Sequence, residues 1–158
     1  MIPRFRAWIK TEKRMVGTDD LLVIDYDLTQ IMTQQVFFER GLAVERDIKY
    51  YDFEDIELMQ STGLKDKNGK EIFEGDLIIT NAYACIVCFG KYTYFEDEDT
   101  QTTAIGFYLS FLNVTPATYA PFEKCYWDNC EVTGNIHENE LDLIMYEAWK
   151  FHKELEDE

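Results

Sequence analysis

Along most of this chain apolar and polar residues alternate with a period of two. Phe5, Ala7 and Ile9 would face one side and Arg4, Arg6, Trp8 and Lys10 the other, which is the pattern of a strand with one buried face. The polar stretch Thr11 to Arg14 reads as a turn and Met15-Val16 as a short return. Leu21 to Tyr26 is a compact apolar run flanked by acids, and it predicts another strand. Asp27 to Thr29 turns the chain before Ile31 to Phe38, where a strand or one helical turn around Ile31 fits. Gly41 marks a break, Val44 to Phe53 holds a weak strand, and Asp52 to Met59 alternates again.

The second half opens on a block dense in turn residues, Gln60 to Asp76. Asn68-Gly69 predicts a two-residue type I′ hairpin turn, since both residues tolerate positive φ. Gly63 and Gly75 read as further positions of unusual φ or close backbone approach. Asp76 opens the strand Leu77 to Ile79. Ala82 to Phe89 predicts a strand ended by Gly90. Glu96 to Gln101 reads as a charged loop, and Ile105 to Val114 as a strand, with Pro116 and Pro121 interrupting pairing after it. Cys125 to Asn129 and Glu131-Val132 predict a hairpin turning at Asp128-Asn129. The period then changes: Leu141, Ile144, Ala148, Phe151 and Leu155 form a helical face, with Asn139 as its N-cap. The acidic tail opposes the dipole of that helix, so its last turn is expected to fray. The softest boundary falls near Gln60. It separates an N-terminal β region, 1–59, from a second region, 60–158, with the two possibly forming one integrated unit.

Three segments carry a resemblance. Arg4 to Trp8 with the charged turn and Met15, the block Met59 to Asp76 with its run T-G-L-K-D-K-N-G-K-E-I-F-E-G-D, and V-T-G-N-I-H-E-N-E-L at 132–141 occur in the order found in one family. The chain resembles the YopX proteins of phages and prophages. That resemblance implies a mostly β protein, with an SH3-like small barrel in the second half, a C-terminal helix and a phage or prophage origin. It implies no activity and carries over no catalytic residue. The matching residues Gly63, Asp66, Asn68, Gly69, Glu74, Gly75, Asp76, Gly134 and Asn135 read as turn and barrel chemistry.

Composition narrows the function classes. Of 158 residues, 46% are apolar and 15% aromatic, which argues for a folded chain. With 31 acids against 15 bases the net charge is −16. Such a chain has no electrostatic reason to grip a phosphate backbone, so direct nucleic-acid binding is not expected. The same charge leaves open an acidic DNA mimic that occupies a DNA-binding protein of the host. No apolar run approaches the ~20 residues of a membrane helix, and charges at positions 4, 6 and 10 break any secretory h-region. The expectation is a protein of the bacterial cytoplasm with reduced cysteines.

Candidate chemistry is sparse. Cys85-x-x-Cys88 has the outline of a zinc knuckle, and Cys125 and Cys130 could supply two more thiolates. Residues three apart in a strand point to opposite faces, however, and buried cysteines behave as small hydrophobes. His137 and His152 have no sequence-adjacent nucleophile. The many acid pairs are expected at this acid content and read as solvated surface. No phosphate-binding glycine motif occurs. Trp8, Trp127 and Trp149 are the candidates for an interface, against core packing. Together these point to a non-enzymatic protein without a cofactor, acting by binding or assembly. Its expected partner is a second copy, or else a host or phage protein. The rivals are the acidic DNA mimic and a small zinc- or carboxylate-dependent enzyme.

Overall fold

The structure is a computed structural model, and it describes residues 2–80, 83–112, 114 and 116–139. The expected helix over 139–155, with His152 and Trp149, falls almost wholly outside those residues. The described chain is mostly β and divides into two compact units, 1–61 and 62–158.

In the first unit, β1 (Phe5–Ile9) lies between β2 (Arg14–Val16) and β6 (Ile56–Lys65). Its register sets Ala7 opposite Val16 on one side and Leu58 on the other. A second sheet has the order β3 (Leu21–Asp25), β4 (Gln30–Glu39), β5 (Leu42–Asp52). The stretch around Ile31 is strand. Its side chain is completely buried, so tertiary burial decides between the two local options. Arg40 and Gly41 both have positive φ, 52° and 79°, and close β4 onto β5 as a two-residue type I′ turn. The stretch after Asp52 does not alternate as a strand throughout: Phe53–Asp55 is a single 3-10 turn, held by Phe53 N–H donating to the Thr29 carbonyl at 2.9 Å. Ala7, Ile9, Val16, Ile31 and Ile56 form the core of this unit. Each fully buried aliphatic side chain contributes about 1.5–3 kcal/mol.

β6 runs on past Ser61 into the second unit, where its last residues neighbour β7 (Glu71–Phe73). The other sheet of that unit has the order β11 (Tyr119–Pro121), β10 (Gln101–Phe111), β9 (Tyr83–Phe95), β8 (Asp76–Thr80), β12 (Glu131–Asn135). Ile72, Ile78, Cys85, Val87, Leu109, Cys130 and Val132 are its core. Two expectations are corrected here. Gly90 does not end its strand, because it pairs with Gly106 in the middle of the long β9–β10 hairpin. Cys125 to Asn129 is not half of a hairpin, because Lys124–Trp127 is one helical turn, α1. It places Phe122 and Trp127 edge to face at 5.6 Å, covering the core.

Candidate functional site

The signature block is built from backbone hydrogen bonds. Asp66 is buried, and its Oδ1 accepts the N–H groups of Asn68 (2.9 Å) and Lys70 (2.8 Å). Its Oδ2 accepts the N–H of Val132 at 2.9 Å, sixty-six residues away. Burial pushes the Asp66 carboxyl up, yet those three donors and the Lys70 charge outweigh it and hold it below its ordinary value. The turn sits one residue earlier than the dipeptide predicts. Gly69 N–H donates to the Asp66 carbonyl at 3.0 Å. Gly69 has φ 82° while Asn68 is not in the positive-φ region, which is a type I turn followed by a left-handed glycine. Gly63 and Gly75 do hold positive φ, 77° and 86°.

Asp76 is almost fully buried, and its Oδ2 accepts Phe73 N–H at 2.8 Å across the Glu74-Gly75 corner. Asn135 Oδ1 accepts His137 and Glu138 N–H at 3.0 and 2.9 Å. Asn139, expected as a helix cap, uses its side-chain oxygen to accept Asn135 N–H at 3.0 Å. These polar side chains thus set loop shape: a carboxylate or amide oxygen that accepts two N–H groups replaces the turn bonds a sheet cannot supply.

The cysteines occupy three kinds of surroundings. Cys85 and Cys130 share the hydrophobic core. Burial, with each other's proximity or that of Asp66, pushes their thiols up to about 12 and about 11. Cys88 stands opposite Tyr108 in the register of the hairpin. Burial pushes it up to about 11, with the Tyr108 hydroxyl pulling the other way. Cys125 is exposed. Among the described residues no group of three or more His, Cys, Asp or Glu side chains is placed to hold a metal ion. The charged loop of 96–100 closes the β9–β10 hairpin: Asp97 Oδ1 accepts the N–H groups of Asp99 and Thr100.

Two surfaces stand out that sequence reasoning did not single out. In the second unit an aromatic cleft of about 540 Å³ is lined by Tyr83, Phe95, Phe111, Tyr119 and Tyr126, with Cys125 at its wall. Tyr83 and Tyr126 each meet Phe111 edge to face, at 5.5 and 6.1 Å. In the first unit the β4–β5 hairpin exposes Phe38 (68%), Leu42 (71%), Val44 (58%) and Tyr50 (59%). A weak strand over Val44 to Phe53 was visible in the sequence; that its apolar side chains would be left uncovered was not.

A family model described as YopX protein matches residues 4–142. The chain belongs to the YopX family. The crystal structure of protein EF1440 from Enterococcus faecalis is similar: 31% identical, with a TM-score of 0.51, over 89% of this chain and 96% of that one. Among curated proteins nothing matches. The likeness to EF1440 and the YopX match each take in residues of both units.

Proposed function

We propose that this YopX protein works by binding and assembly rather than by catalysis, as a homo-oligomeric accessory protein of phage or prophage origin in the bacterial cytoplasm. In this reading the second unit is the SH3-like barrel that the family resemblance implies. One observation carries the reading: the large apolar side chains exposed along β4 and β5 on a chain whose net charge of −16 otherwise favours solvation. Exposed apolar side chains grouped on one hairpin of a charged protein mark a place where another molecule can bind. The commitment of Asp66, Asp76 and Asn135 to backbone donors supports a scaffold role for the signature. Light scattering on the purified chain tests the proposal. The expected mass is a multiple of the chain mass at micromolar concentration. A strict monomer at high concentration overturns it.

A further inference from the structure

We infer that a second copy of this chain pairs with the outer edge of β5, antiparallel and centred on Ile48. The inference rests on the assembly proposed above and gives it a surface. β5 is the outermost strand of the sheet β3-β4-β5, and among the described residues no strand lies on its far side. It is 11 residues long, and every residue but Asp47 and Tyr51 is exposed. A long uncovered edge presents a row of backbone donors and acceptors to any strand that fits it. Of the devices that blunt such edges it carries charged side chains, but these alternate in sign from Glu45 to Lys49. β5 contains no proline, and its bulge lies near the hairpin tip, at Val44, outside the stretch from Glu45 to Tyr51 that pairs continuously with β4.

Charge selects a second copy as the occupant. Residues 44–50 carry two acids, Glu45 and Asp47, and two bases, Arg46 and Lys49. This stretch is locally neutral on a chain of net charge −16, so two copies can approach there without the repulsion felt elsewhere. The order of those charges then selects the register. A twofold axis normal to the sheet keeps the same face up in both copies, so each antiparallel self-register is centred on one residue. Centred on Glu45, Arg46, Asp47 or Lys49, the register sets that charge against its own copy. Centred on Ile48, it sets no like charges opposite each other. Asp47 of each copy then faces Lys49 of the other, and Arg46 lies opposite Tyr50. Opposite-charge and cation–aromatic pairs are the favourable cross-strand combinations.

The monomer's own contacts leave these groups near the edge. Arg46 Nε donates to Gln34 Oε1 at 2.7 Å, and Lys49 Nζ is 4.0 Å from Glu12. On the face shared by Arg46, Ile48 and Tyr50, Tyr50 continues the row formed by Met32 and Val23 on the neighbouring strands, and Ile48 lies opposite Gln34. Pairing about Ile48 therefore makes one six-stranded sheet and sets the exposed Ile48 side chains of the two copies against each other.

Charge swaps in the full chain test the inference. Asp47→Lys sets two bases opposite each other twice, and Lys49→Asp sets two acids opposite twice. Each should weaken self-association about tenfold or more, since both symmetry-related pairs change sign. The double swap restores complementarity and should recover association. Thermal melts confirm that the variants fold. Independently, Ile48→Cys in a Cys125→Ser background should give a disulfide-linked dimer on mild oxidation, and Glu45→Cys in the same background should not. If the wild type is oligomeric and neither the swaps nor the crosslink behave this way, the edge assignment falls and the assembly reading stands. If the wild type is monomeric, both fall.

Discussion

Asp66 shows how one side chain can organise a fold from within a turn. Its two oxygens accept three backbone N–H groups, two inside its own loop and one from β12. Asp66→Ala leaves those donors without their acceptor. A buried donor without a partner costs about 1–3 kcal/mol, so the substitution should destabilise the protein by about 3 kcal/mol in urea unfolding. The pH dependence has a definite sign. A carboxyl held below its ordinary value contributes stability that is fully present above the unfolded pKa and is lost as pH falls through the folded one. The stability gap between the wild type and Asp66→Asn should therefore narrow below about pH 4. A gap that stays constant to lower pH would mean that Asp66 is not held as a carboxylate. Among the thiols, Cys125 is exposed whereas Cys85 and Cys130 are completely buried. A thiol reagent at pH 8 should modify Cys125 first. Cys85 and Cys130, pushed up to about 12 and about 11, should react only on unfolding. Mass spectrometry of the labelled peptides reads the order.

At the scale of elements, the β9–β10 hairpin is the longest piece of continuous pairing, from Cys85 opposite Phe111 to Phe95 opposite Gln101. Gly90 and Gly106 face each other across it with φ of 147° and 153°. A Cβ at either position would meet nothing within 4 Å. The requirement for glycine is thus one of backbone conformation, a region that other residues enter at a cost of about 1–3 kcal/mol. Gly106→Val should lower stability by that amount despite the β-propensity of valine, and a thermal melt measures it. The paired glycines sit within an unbroken ladder, so a glycine that punctuates a sequence does not here terminate a strand. The same alternation explains the cysteines. Cys85 and Cys88 fall on opposite faces of β9, one in the core and one beside Tyr108.

For the whole molecule, net charge and exposed apolar surface act in opposition. Two copies that each carry −16 repel at long range. Raising salt from about 10 mM to about 150 mM shortens the screening length from ~30 Å to ~8 Å. Self-association should therefore tighten over that range, as read by sedimentation equilibrium. Association that weakens instead would mean that opposite-charge contacts dominate over general repulsion. The acidity also predicts no shift of duplex DNA or RNA in a gel with this protein, because no counterions are released on contact.

The local order of strands and turns was legible because it rests on short-range rules. Alternation at residues 5–9, the return at Met15-Val16, and the positive φ of Gly63 and Gly75 follow from side-chain period and the missing Cβ. The mostly β class could be read the same way, whereas the YopX family was read from the resemblance of three segments. Tertiary structure decided the rest. It made Ile31 strand by burying it, tied the Asp66 turn to β12 through Val132, and carried β9 through Gly90 by pairing it with Gly106. It also determined which apolar faces are covered. Ile48 and Tyr50 are spaced by two, as Ala7 and Ile9 are, but Ala7 and Ile9 are buried while Ile48 and Tyr50 are exposed. Period determines which side chains share a face, whereas only packing against distant parts of the chain determines whether that face meets protein or water.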